Sequence, residues 1–158
     1  MKKSTILLLA IVYIVSFLLV GLLGQAVRAY DPVVYPTSIE LVEPDGRAKL
    51  IENPSEETKK QFEYYYVVNP YHEGMSISMK ATVKPDNTNF PNVSFIYDES
   101  NTSFNLRTKE DDPSIENNYA VITLNVIPTS PLVVRFTVST QTPGTNIKAR
   151  VGIVFVNA

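Results

Sequence analysis

The sequence predicts an all-β fold, an antiparallel two-sheet sandwich, carried behind one N-terminal apolar helix. Three observations predict it. The first is a run from Ile6 to Leu23 that no charge interrupts. The second is a series of short stretches after residue 37 in which apolar and polar side chains alternate with a period of two. The third is the presence of 11 prolines, with turn signals between those stretches. Period two sends one set of side chains to each face of a sheet. A sheet that is apolar on one face buries it against a second layer, and two packed sheets meet that need.

Lys2 and Lys3 precede the apolar run, and no acidic residue appears before Asp31. As a helix, residues 6–24 span about 28 Å, close to the hydrocarbon thickness of a bilayer. Two readings fit residues 1–29. Their length suits a retained transmembrane anchor, since a signal peptide has an apolar core of about 7–15 residues. Val27 and Ala29 also suit positions −3 and −1 of a cleavage site before Tyr30, which would release a secreted domain. Both readings leave the N-terminus in the cytoplasm, because the two lysines outvote the single Arg28. The chain has no cysteine, which excludes disulfides, thiol catalysis, cysteine zinc sites and acylation.

Residues 30–37 read as a stiff extended stalk, with Asp31-Pro32 and Tyr35-Pro36 disfavouring helix. Residues 38–158 are long enough for one domain with its own core. All 16 acidic residues and all of the 14 basic residues except Lys2, Lys3 and Arg28 follow position 29. Eleven against sixteen leaves that part at −5, a sign that argues against nucleic acid and against anionic lipid surfaces.

Ser38–Val42 and Ala48–Glu52 read as short strands flanking the turn Pro44-Asp45-Gly46, and Asn53-Pro54-Ser55-Glu56-Glu57 as a helix start worth one turn. Stronger alternation follows in Phe62–Val68, Ile77–Val83, Val93–Tyr97, Phe104–Leu106, Ala120–Val126, Leu132–Val138 and Ala149–Phe155. Asn69-Pro70, Pro85-Asp86-Asn87, Pro128–Pro131 and Thr142–Asn146 supply turns between them. The last strand carries Val154 and Val156 opposite Ile153 and Phe155. Apolar on both faces, it reads as a central strand, with an edge awaiting a partner strand as the alternative.

Ala81-Thr82-Val83-Lys84-Pro85, its polar turn, Val93-Ser94-Phe95 and Ser100-Asn101 resemble bacterial Ig-like domains of the second group, as does the opening Pro36–Leu41. The resemblance spans about a third of the exported chain. Phe95 stands where that family carries a tryptophan, and the late glycine-rich strand is not evident. The resemblance implies an Ig-like sandwich used in adhesion, spacing or assembly at a cell surface, with no catalytic residue.

Candidate sites are few. His72, the sole histidine, lies in a turn without the positioned partner that acid–base chemistry needs. No G-x-S-x-G, H-E-x-x-H or phosphate loop occurs. Glu110-Asp111-Asp112 with Glu116 offers oxygen ligands, but lacks the spacing of a calcium loop and reads as an exposed acidic loop. Among Tyr64-Tyr65-Tyr66 and Tyr71, alternation sends Tyr64 and Tyr66 inward and Tyr65 outward. Tyr65, Tyr71 and His72 then form the candidate interaction surface for a protein or glycan. No cofactor, metal or catalytic residue is assigned. The function expected is a membrane-tethered, non-catalytic extracytoplasmic module at a bacterial surface. The alternatives are an accessory subunit of a membrane machine or filament, and a glycan-binding module secreted after cleavage.

Overall fold

The computed structural model of the protein describes residues 3–28 and 32–157. Lys2, Ala29 and Tyr30, on which the orientation and cleavage readings draw, lie outside the described residues. The chain forms two compact units that divide after Val33.

The first unit is helix α1, Lys3–Arg28. Its stretch Ser4–Leu22 is long and apolar enough to cross a membrane. The apolar side chains described in it are exposed, as those of a span facing lipid would be. Ser16 donates its hydroxyl to the Val12 carbonyl at 2.8 Å, so a polar group within the apolar stretch is satisfied inside the helix, as lipid requires.

The second unit is β-rich. Its strands are β1 (Ser38–Val42), β2 (Lys49–Leu50), β3 (Tyr64–Tyr71), β4 (Ser76–Lys84), β5 (Val93–Ile96), β6 (Phe104–Arg107), β7 (Tyr119–Leu124), β8 (Leu132–Thr140) and β9 (Lys148–Asn157). A short helix, α2 (Glu56–Gln61), precedes β3. Four strands form one sheet in the order β1-β4-β7-β6, and five form another in the order β2-β3-β9-β8-β5. Burial follows the alternation in the sequence: Ile77, Met79, Ala81 and Val83 of β4 are buried, as are Ala120, Ile122 and Leu124 of β7 and Val134, Phe136 and Val138 of β8. One buried cluster draws on both sheets. Two hydroxyls on β3 reach the other sheet's β1: Tyr64 donates to the Ile39 carbonyl at 2.7 Å and Tyr66 to the Leu41 carbonyl at 2.8 Å.

The ladders are antiparallel with one exception, because β3 runs parallel to β9. An all-antiparallel arrangement is thereby corrected. Glu63 and Arg150, joined at the start of this pairing, are 87 positions apart, so no tight turn dictates their relative direction. The central reading of the last strand fits the pairing, since β9 is flanked by β3 and β8. Asn69-Pro70, expected as a turn, lies within β3, where a shift in register separates Val68 from Tyr71.

α2 follows its capping rules. The Ser55 hydroxyl accepts from the Thr58 N–H, glutamates fill the first turn and lysines the last, all favourable to the helix dipole. Phe62, expected in a strand, ends this helix as its extended C-cap residue.

Of residues 30–37, the part from Val34 onward is fixed to the β unit. The Val34 carbonyl accepts from Asn89 N–H and from the Thr88 hydroxyl, both at 3.0 Å, and Tyr35 stacks on Phe90 with centroids 5.6 Å apart.

Candidate functional site

The expected surface of Tyr65, Tyr71 and His72 does not form. Tyr71 is only 2 % exposed and meets Phe155 edge-on, with centroids 5.6 Å apart. The cause is the irregularity at Asn69-Pro70. An unbroken strand would put position 70 on the face of Tyr66 and Val68, but the extra residue resets the parity and turns Tyr71 inward. His72 is exposed in the turn that follows. Tyr65 points to the other face of β3, away from Tyr71.

What the structure does gather around Tyr65 is a three-layer stack. Tyr65, Gly152 and Arg135 are in register on β3, β9 and β8. Phe62 stands over Gly152, between the other two. Its ring lies 5.7 Å from that of Tyr65 at an interplanar angle of 25°, and the Arg135 guanidinium is 5.6 Å from its centroid. Gly152 is the seat of the ring. A Cβ there would come within 3.0 Å of Tyr65 and 3.1 Å of Phe62. The approach is held by polar bonds on the same side. The Glu63 carboxylate accepts the Arg150 N–H at 2.7 Å, Glu63 N–H donates to the Arg150 carbonyl at 2.9 Å, and the Arg150 guanidinium donates to the Lys60 carbonyl at 3.0 Å.

Beside this stack runs an open groove of about 480 Å³, bounded by α2, β5, β8 and β9, a volume within the range of about 300–1,000 Å³ usual for ligand sites. Phe62, Tyr97 and Ile96 give it apolar wall, and Lys60, Arg135 and Arg150 give it positive charge. Ile96 is 52 % exposed. Asp98 is the acid among the lining residues. Two bonds from Ser100 to its carboxylate hold its pKa below the ordinary aspartate value.

A second cleft, of about 310 Å³, lies between β5 and the 108–118 loop, lined by Asn92, Asn117, Gln141, Tyr119, Lys109 and Glu110 among others. Asn118, at φ 62°, ties this loop to the start of β5. Its side chain accepts from Val93 N–H at 3.1 Å and donates to the Pro91 carbonyl at 2.8 Å. The acidic loop is turned on itself. Asp111 accepts from Thr108 N–H at 2.8 Å, and Asp112 accepts from Ser114 and pairs with Arg107 at 3.6 Å. The Ser114 bonds first, and Arg107 after them, hold the Asp112 pKa below the ordinary value. Among the described residues no group of three His, Asp or Glu side chains is placed to hold a metal ion.

Within the groove Arg135 presents positive charge and Ile96 the exposed apolar surface, while Phe62 is buried beneath its neighbours. Sequence reasoning missed Phe62, Arg135 and Gly152. The available signal was Gly152 itself, a gap in the otherwise apolar run Val151–Val156, since a glycine inside a strand marks close approach by another group. Compared with known proteins, the chain matches no family model, no curated protein and no solved structure.

Proposed function

We propose that this chain is a membrane-tethered extracytoplasmic module that works by binding a partner, without catalysis, and that its β unit is an Ig-like sandwich. The observation that carries the reading is the division into an exposed apolar helix of spanning length and a separate β unit with its own buried core. The sandwich is supported by the cluster shared between the sheets and by the two tyrosine hydroxyls that bridge them. The binding role is supported by the groove, which combines exposed apolar and cationic side chains on a unit otherwise rich in acid.

The absence of cysteine allows a direct test. Lys2→Cys and Ser130→Cys each introduce one thiol into the full chain. In intact cells a membrane-impermeant maleimide is expected to label position 130, and position 2 only after permeabilisation. The reverse pattern overturns the orientation. A mature mass that starts at Tyr30, with protein in the medium, replaces the tether with a secreted module. For that second reading the amide-lined cleft around Tyr119 is the supporting observation, since amides and an aromatic ring suit sugar hydroxyls.

A further inference from the structure

We infer that the groove beside the Tyr65–Phe62–Arg135 stack is a docking site for an acidic peptide segment of a partner protein, one that places a carboxylate next to a large apolar side chain. The inference names the partner chemistry of the interaction module proposed above and rests on that reading.

Charge complementarity selects the acid. The lining carries three cations against the single carboxylate of Asp98, on a part of the chain where acids outnumber bases sixteen to eleven. Arg150 is engaged by Glu63 and the Lys60 carbonyl, and Asp98 by Ser100. Arg135 and the Lys60 ammonium take part in no ion pair among the described residues. The ring of Phe62 steadies the Arg135 guanidinium. A planar fork of donors fixed in this way receives a carboxylate with less loss of side-chain freedom than a loose arginine would.

Two features favour a peptide over a sugar acid. Sugars bind by laying a ring on an open aromatic face, but both faces of Phe62 are occupied, one by Tyr65 and the other by Arg135. Tyr97 is already packed against Phe104, with centroids 5.7 Å apart. The open apolar surface is aliphatic: Ile96, half exposed at the outer face of an edge strand, suits a leucine-sized side chain. The carboxylate would lie on Arg135 and Lys60, and the apolar side chain on Ile96.

The test uses the full chain in nanodiscs of zwitterionic phosphatidylcholine and a phage-displayed random decapeptide library. Enriched peptides are expected to carry Asp or Glu within two positions of a large apolar residue. A fluorescein-labelled consensus peptide is then titrated by anisotropy. Arg135→Gln is expected to weaken its binding by about tenfold or more, equivalent to loss of one well-placed charged contact. Ile96→Asp, at an exposed position that leaves the core untouched, is expected to do the same by repulsion. Lys109→Gln, outside the groove, should leave the affinity unchanged.

The inference is overturned if no peptide is enriched, if enriched peptides show no acidic bias, or if both groove variants keep wild-type affinity. Displacement of the peptide by phosphatidylglycerol vesicles, with vesicle binding lost in Arg135→Gln, would reassign the groove to a lipid surface. Peptide binding is scored on purified protein whatever its orientation in cells, so this result and the cysteine-labelling result fail independently.

Discussion

Replacing Tyr66 by phenylalanine removes one oxygen from the middle of the β unit and leaves the ring in place. That oxygen donates to the Leu41 carbonyl at 2.8 Å, and the residue is 2 % exposed, so no solvent is at hand to take over the bond. A buried neutral hydrogen bond is worth about 0.5–1.5 kcal/mol net, and a buried carbonyl left without a partner raises the cost to about 1–3 kcal/mol. For a unit of this size the melting temperature should fall by about 4 °C per kcal/mol.

The same hydroxyl carries a pH signature. Burial first, and then the neighbouring Tyr64 and Glu43, push the Tyr66 pKa up from 10.0 to about 12. The folded state therefore holds this proton more tightly than the unfolded chain does. The corresponding stability is complete below pH 10 and is lost as pH rises from 10 towards 12. Near-ultraviolet circular dichroism of the full chain in detergent follows both effects, since the chain has no tryptophan and tyrosine dominates the signal. Tyr66→Phe should lower stability at pH 7 and flatten, though not abolish, the loss above pH 10. Tyr64 and Lys84 also have raised pKa values and keep part of the slope. A variant as stable as wild type at pH 7, or one with an unchanged alkaline limb, would refute the argument.

Other substitutions probe separate parts of the structure. Phe155→Ala empties a fully buried site on central β9 and should cost about 3–5 kcal/mol in urea unfolding. Gly152→Val places a side chain where Phe62 and Tyr65 already sit and should cost about 1–3 kcal/mol by overpacking. In the Phe62→Ala background that cost should shrink but persist in part, because Tyr65 still lies 3.0 Å from the added Cβ, and a double-mutant cycle measures the share due to Phe62. Glu43 accepts from the N–H groups of Asp45, Arg47 and Ala48 at 3.2, 2.8 and 3.3 Å. Glu43→Ala should cost about 1–3 kcal/mol and speed amide exchange at Arg47 and Ala48 well beyond other loops.

The legible parts of the fold are those where one-dimensional periodicity carries the information. β4, β7 and β8 bury the residues that alternation marked, and the doubly apolar β9 lies between two neighbours. Periodicity states which face a residue takes but not the direction of the next strand, so the parallel β3·β9 pair was not readable. It also assumes unbroken parity. One extra residue between Val68 and Tyr71 inverted it, turned Tyr71 into the core, and dissolved the expected surface with Tyr65 and His72. The stack that takes its place joins residues far apart in sequence: Phe62 from the end of α2, Arg135 from β8 and Gly152 from β9. Their meeting depends on the pairing of β3 with β9, which local patterns do not encode.

That pairing also sets an order of events. β9 is the strand on which β3 and β8 both build, yet its residues follow those of β3 by most of the length of the unit. Until residues 148–157 are available, β3 has only the two-residue β2 beside it, and its apolar side chains wait exposed. Assembly of the five-stranded sheet is therefore governed by a late, long-range closure, which places this domain among topologies that fold slowly for their size.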